Sequence, residues 1–184
     1  MTARPLVRFR DRRPQPWANG LGSTTELLGW SDGPGLFGSD GPAWRLSIAR
    51  LDGPAPFSPL PGVDRHFLPI GADVRLRIAG ADIPVPAGQV CRFSGKDVVE
   101  LLDLTSAPAF AVNLMVRASG GGPELVMADS HDPRCAAAIA ALTLTPGGGF
   151  GRFDIVRPHA GLASGPALPL ALVLPGAAPG PTMV

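Results

Sequence analysis

The clearest pattern in the chain lies at residues 43–51, where Trp44, Leu46 and Ile48 recur at every second position with Arg45, Ser47 and Ala49 between them. A period of two over this length predicts a half-buried β-strand, with Arg45 and Ser47 on one face, turned either to solvent or into the lumen of a barrel. Leu51 is grouped with the Trp44 side. Residues 52–61 hold four prolines and predict an irregular, rigid crossing that delivers Asp64-Arg65 just before a second apolar run at 67–70. Val74, Leu76 and Ile78 alternate with Arg75 and Arg77, the sharpest one-face-wet pattern in the chain.

Further strands are predicted at 24–30, 89–93, 98–104 and 110–116, with a weak first strand at 5–10. Turn signals separate them. Asn19-Gly20 suits a tight loop with positive φ, and 31–42 reads as a surface loop. Residues 80–82 predict a turn, 83–88 a proline-bearing edge passage, and Ser94-Gly95-Lys96-Asp97 a hairpin turn. Gly120-Gly121-Gly122 marks an internal boundary, with 1–120 as an N-terminal half and 121–184 as a smaller or degenerate β half packed on it. In that second half, alanine-rich 135–142 fits either a short helix or a buried strand. Residues 150–157 and 168–174 read as strands, and 175–184 as a frayed tail. Roughly eight to ten short strands at a spacing of about 8–12 residues predict an all-β sandwich or barrel.

Composition sharpens this picture only in places. The 24 glycines and 22 prolines alone would suggest disorder, but 45% of the chain is apolar, more than an unfolded chain leaves exposed. A net charge of +1 provides no strong field for nucleic acid or an anionic membrane, so neither is expected as a partner. Arg8, Arg10, Arg12 and Arg13 read as solvated strand edges rather than a phosphate site. Cys91 and Cys135 are far apart in sequence and are expected to be reduced. Residues 1–13 lack an apolar leader, and the longest apolar stretch, 135–144, is too short to span a bilayer, so a cytoplasmic location is expected.

Few chemistries remain. His66, His131 and His159 form no closely spaced pair, so no metal and no other cofactor is expected. No nucleophile motif is present, and a thiol at Cys91 in an apolar strand stays protonated. Arg45 and Arg65, each beside a strand, point to an anion pocket, because guanidinium groups bind carboxylates bidentately. Asn19, Ser47 and Asn113 would read the ligand's polar remainder. The same arginines could instead be structural, bonded to Asp64, Glu26 or loop carbonyls. Trp17 and Asn19 lie close enough to Glu26 in sequence to share one pocket with it, and a Glu26 paired with arginine would orient rather than catalyse.

Five stretches then combine into a resemblance: Trp17-Ala18-Asn19-Gly20-Leu21-Gly22-Ser23-Thr24-Thr25-Glu26, Trp44-Arg45-Leu46-Ser47-Ile48-Ala49, Phe57-Ser58, Pro61-Gly62-Val63-Asp64-Arg65 and Val112-Asn113-Leu114-Met115-Val116-Arg117. In this order they resemble the HutD/Ves family. The resemblance implies a cupin-like (RmlC-like) β-barrel or jelly roll in two barrel halves, a bicupin-like arrangement without metal. It implies association with histidine utilisation and a small organic acid as partner, of the formylglutamate, urocanate or formate class. The positions it carries into the pocket are Trp17, Asn19, Gly20, Thr24, Glu26, Arg45, Ser47, Arg65 and Asn113. The chain departs from the family pattern at Ala18, Leu21 and Val112, and Leu21 is expected to alter the loop and the pocket size.

The expectation is therefore a non-enzymatic binding protein for a small carboxylate, regulating or limiting flux through histidine utilisation. The alternatives are a metal-independent isomerase or hydrolase using Glu26, and a regulator that binds a protein partner. A homodimer through strand edges is compatible with each.

Overall fold

Alternation turns into strand over most of the chain in the computed structural model, which describes residues 4–32, 43–117, 122–158, 162 and 165–176. Among these residues the strands are β1 (Gln15–Pro16), β2 (Gly22–Leu28), β3 (Trp44–Leu51), β4 (Ala55–Pro56), β5 (Val63–Ile70), β6 (Val74–Ile78) and β7 (Ala81–Val85). They continue as β8 (Cys91–Ser94), β9 (Val99–Leu104), β10 (Ala109–Arg117), β11 (Glu124–Asp129), β12 (Ala140–Thr143), β13 (Ile155–Val156) and β14 (Pro169–Leu174). The fold is all-β. No helix among the described residues is long and apolar enough to cross a membrane.

A six-stranded antiparallel sheet, ordered β1-β2-β3-β10-β5-β8, lies between two four-stranded sheets, β4-β9-β6-β7 and β11-β14-β12-β13. Its two faces follow from parity, since successive side chains of a strand point oppositely. Trp44, Leu46, Ile48, Leu68, Val112 and Leu114 pack with Leu125, Leu142, Ile155 and Val173 of the C-terminal sheet. Leu51, Phe67, Ala109 and Ala111 pack with Val74, Leu76, Val99 and Leu101 of the smaller N-terminal sheet. Burial on both sides is why β10 carries a nearly continuous apolar run rather than strict alternation. Outside, the small sheet is wet as its pattern predicted: Arg75 pairs with Asp103, and the Arg77 Nε lies 2.7 Å from Asp82 Oδ1.

Several sequence expectations change. Leu51 is buried in the second cluster with Ala49, on the face opposite Trp44, because the period of two runs unbroken to the end of β3. Asp64 and Arg65, expected between the proline-rich crossing and an apolar run at 67–70, lie within one strand; β5 begins at Val63 and pairs with β10 along its whole length. Residues 81–85 form β7, a full hairpin partner of β6, with Pro84 at the edge of the sheet. At the N-terminus only Val7 bridges to Ile155, and a 3₁₀ turn at Phe9–Asp11 follows. The alanine-rich segment divides: Pro133–Ala137 is a 3₁₀ turn capped by Asp132, and β12 begins at Ala140. Within 150–157 only Ile155–Val156 is strand. The tail at 177–184 and most of the loop at 31–42 lie outside the described residues.

Candidate functional site

The face of the six-stranded sheet that meets the small sheet does not close along its full length. Registered pairing sets out its side chains in rows. Arg45, Met115 and Arg65 stand in one row, and Glu26, Ser47, Asn113 and Phe67 in the next. Thr24, Ala49 and Ala111 make the third, and Gly22, Leu51 and Ala109 the fourth. Rows are two residues apart, about 7 Å along the strands. Over them lies a cavity of about 670 Å³, bounded on one side by residues 15–19 and on the other by Pro56 and residues 57–60.

Of the expected site residues, Trp17, Asn19, Thr24, Arg45, Ser47, Arg65 and Asn113 line this cavity. Gly20 and Glu26 do not. Gly20 takes φ +70, and its Cβ position is open, so it serves the turn rather than the wall. The exposed Glu26 accepts a hydrogen bond from the Arg45 Nε at 2.6 Å and so fixes the direction of that guanidinium. Asn19 spends its Oδ1 on the Leu21 N–H at 3.0 Å, an Asx-type turn that shapes the rim. Leu21 is exposed and outside the lining, and its φ is not positive, so the turn needs no glycine there and the pocket is not narrowed by it.

Trp17 is held by its indole N–H, which donates to Thr24 Oγ1 at 2.8 Å. Its ring packs on the strand at Gly22, where an added Cβ would meet the ring at 2.8 Å and press on the Arg50 carbonyl. Gly22 is therefore the seat of the aromatic wall.

Arg65 departs most from ordinary solvation. It is 8% exposed and has no ion pair with a carboxylate among the described residues; Asp64 points the other way from the same strand. Its guanidinium sits over Phe57 and Phe93 at 5.0 and 5.3 Å and donates from Nη1 to the Ser58 carbonyl at 3.3 Å. Burial, reinforced by the nearby Arg45 charge, pulls its pKa down to about 10.

Arg65 Nε, Ser47 Oγ and Asn113 Oδ1 are fully buried and have no hydrogen-bond partner among the described residues. Ser47 is 1% exposed and Asn113 5%. Buried polar groups are nearly always paired, and leaving one unpaired costs about 1–3 kcal/mol. The three residues that carry them all line the one cavity.

The sequence reading missed Met115, Phe67, Ala49, Leu51 and the segment 57–60. Parity would have found the first two, since Met115 stands two positions after Asn113 and Phe67 two after Arg65. The segment 57–60 carries no such signal.

The histidines stand apart from the cavity. His66 is on the opposite face of β5, where its Nδ1 accepts the Leu125 N–H at 3.1 Å and ties the central sheet to the C-terminal one. Burial there, with a smaller push from Arg92 against the pull of Glu124 and Asp64, lowers its pKa to about 4. His131 Nε2 lies 2.9 Å from the Gly165 carbonyl, and His159 is outside the described residues. No group of three potential metal ligands occurs among the described residues.

Fold and site together define a class: an all-β protein with an open cavity against its central sheet, lined by apolar side chains and by Arg45, Ser47, Arg65 and Asn113. The HutD family model matches residues 10–146, and the chain belongs to the HutD family. Among solved structures, it is similar to a conserved protein of unknown function, PA5104 from Pseudomonas aeruginosa PAO1, at 24% identity and a TM-score of 0.62, over 92% of this chain and 93% of that one. It is similar also to HutD from Pseudomonas fluorescens SBW25, solved in a formate condition, at 23% identity and a TM-score of 0.59, over the same shares of the two chains. A cupin domain of an XRE family transcriptional regulator from Enterobacter cloacae aligns with 54% of this chain and 98% of that one, at 17% identity and a TM-score of 0.42. No curated protein matches the chain.

Proposed function

We propose that this protein binds a small carboxylate in the cavity beneath β3, β10 and β5, in the cytoplasm, as part of histidine or related amino-acid catabolism. The cup is read as cupin-like, the C-terminal sheet as its degenerate second half, and the role as regulation or limitation of flux rather than turnover. One observation carries the reading. A buried guanidinium without a carboxylate partner among the described residues lines the cavity, in company with Arg45, Ser47 and Asn113. A carboxylate there would neutralise Arg65 and accept from its guanidinium, each charged hydrogen bond contributing about 1.5–3 kcal/mol. Arg45, aligned by Glu26, supplies a second positive group along the same row. Membership of the HutD family supports the pathway.

The enzyme alternative requires a carboxylate directed at the ligand. Glu26 lies outside the lining, with Oε2 engaged by Arg45. Native mass spectrometry of the purified protein, followed by calorimetric titration with formate, urocanate and formylglutamate, tests the proposal. A bound acid, lost in Arg65→Ala while the fold persists, supports it. An empty protein that no carboxylate heats or stabilises would end it.

A further inference from the structure

A second cavity, of about 500 Å³, opens where the end of β5 and the turn at 87–88 meet β11, the exit of β12 and the start of β14. It shares no lining residue with the first. Strand parity puts it on the other face of the central sheet: Arg65 and Phe67 face the first cavity, so Ile70 faces the C-terminal side. Its walls are mostly apolar, with Ile70, Met127, Leu144 and Pro146 among them. Among the described residues no carboxylate lines it, and Arg152 is its one cation. Met127 is 38% exposed, although large apolar side chains elsewhere in the described sheets are mostly covered.

Arg152 is held in place without being neutralised. Its Nε donates to the Leu144 carbonyl at 3.2 Å, and its guanidinium lies over the Phe110 and Phe153 rings at 4.7 and 4.5 Å. Among the described residues it has no ion pair with a carboxylate. The side chain is half-buried, unlike that of Arg65; Nη1 and Nη2 make no hydrogen bond among the described residues, and neither is sealed from solvent. Burial lowers its pKa, as expected of a charge that water serves poorly.

The turn beneath it is firmly tied. Thr143 Oγ1 donates to the Gly151 carbonyl at 2.6 Å, the Gly151 N–H donates to Asp154 Oδ2 at 2.8 Å, and the Phe9 N–H donates to Asp154 Oδ1 at 3.0 Å. Asp154, the acid nearest in sequence, is thus turned inward with both oxygens engaged by amides. Between these ties Phe153 takes φ +64, a left-handed conformation that bulky residues rarely adopt, with its ring fully buried under the guanidinium. Such strain persists where the surroundings over-determine it, and here it sets Arg152 at the cavity wall.

We infer that this second cavity binds a monocarboxylate with an apolar body, the carboxylate on the Nη1 and Nη2 edge of Arg152 and the body against Met127, Ile70 and Leu144. The free edge of a guanidinium matches a carboxylate with two parallel hydrogen bonds. A single cation suits a single negative charge, and the apolar walls and the volume suit a ligand with a body behind it. The first cavity plays no part in this.

Methionine methyl groups report the two cavities separately, since Met115 lines the first and Met127 the second. In the full chain carrying carbon-13 at these methyls, hexanoate should shift the Met127 signal to saturation. Hexanol, with a similar body and no charge, should bind about tenfold more weakly or worse, the effect of losing one hydrogen bond to a charged group. Inorganic phosphate should leave the signal in place. Arg152→Gln should weaken hexanoate at Met127 by about tenfold and leave hexanol unchanged, whereas Arg65→Met should not alter the Met127 response. Thr145→Glu, at an exposed position of the same cavity, brings in a competing carboxylate and should weaken hexanoate likewise, which decides the matter if Arg152→Gln does not fold. A Met127 signal that does not move would overturn the inference. Equal binding of hexanoate and hexanol would reduce the cavity to an apolar crevice and overturn the anion site. Phosphate binding as tightly as hexanoate would overturn the apolar body. A shift at Met115 alone would overturn the second site while supporting the carboxylate reading of the first.

Discussion

Replacing Arg65 with methionine separates the binding role of this arginine from a structural one. Depression of the Arg65 pKa to about 10, at about 1.4 kcal/mol per pH unit from the ordinary arginine value, represents roughly 3 kcal/mol of unfavourable charge burial in the free protein. Against it stand two cation–π contacts, with Phe57 and Phe93, of about 0.5–2 kcal/mol each, and one hydrogen bond to the Ser58 carbonyl of about 1 kcal/mol. Methionine keeps the length and, through sulfur, part of the aromatic contact. The balance lies between about 1 kcal/mol in favour of methionine and about 2 kcal/mol in favour of Arg65. In a chain of this size Arg65→Met therefore shifts the melting temperature by no more than about 3 °C upward or about 6 °C downward. Carboxylate affinity should fall about a hundredfold or more, from the loss of at least two charged hydrogen bonds. The sign with pH is fixed. A cation whose folded pKa is lowered carries its burial penalty at all pH below that value and sheds it as pH rises through it. The stability of the variant relative to wild type is therefore flat from pH 6 to 9 and falls above about 10. Scanning calorimetry and titration calorimetry on the same preparations read both quantities. A melting temperature lower by more than about 6 °C, with affinity little changed, would show that the arginine is scaffold and refute the reasoning.

Glu26→Gln should weaken carboxylate binding by no more than about fivefold, since a half-exposed ion pair contributes about 0–1 kcal/mol to holding Arg45; complete loss of binding, or of any turnover, would restore Glu26 to the chemistry. His66 should make the fold acid-sensitive: its folded pKa of about 4 lies below the ordinary imidazole value, so the unfolded chain takes up the proton first. Stability falls as pH drops from about 6.5 to 4, by roughly 3 kcal/mol, and urea titrations of His66→Gln over this window should show a flatter profile; an unchanged slope would deny the imidazole that role. Gly22→Ala should destabilise by about 1–3 kcal/mol through overpacking against the Trp17 ring and the Arg50 carbonyl, with reduced ligand affinity. Normal denaturation and binding in that variant would mean that Trp17 does not rest on the strand.

What the sequence could decide by itself is local and periodic. Alternation at 44–49 and 74–78 set which side chains share a face, because strand geometry turns each successive residue over, whatever its neighbours are. That sufficed for an all-β fold and for placing Arg45 with Ser47. Periodicity faded where a strand is buried on both faces, as in β10, and where β5 follows directly on prolines, so that Arg65 reads as preceding the strand rather than lying in it. The motif stretch 17–26 carried Gly20 and Glu26 into the site with their neighbours, although one shapes a turn and the other braces Arg45.

Only tertiary structure could bring β3 and β5 to opposite sides of β10, because that pairing joins residues far apart in sequence and depends on the whole sheet. The same assembly buries Arg65 without a carboxylate and leaves Asn113 without a donor, facts that no residue's own identity contains. Hydrogen-bond satisfaction is a property of the folded surroundings, and so the composition of the chain could suggest an anion site while only the packed sheets brought Arg45, Arg65, Ser47 and Asn113 to one cavity.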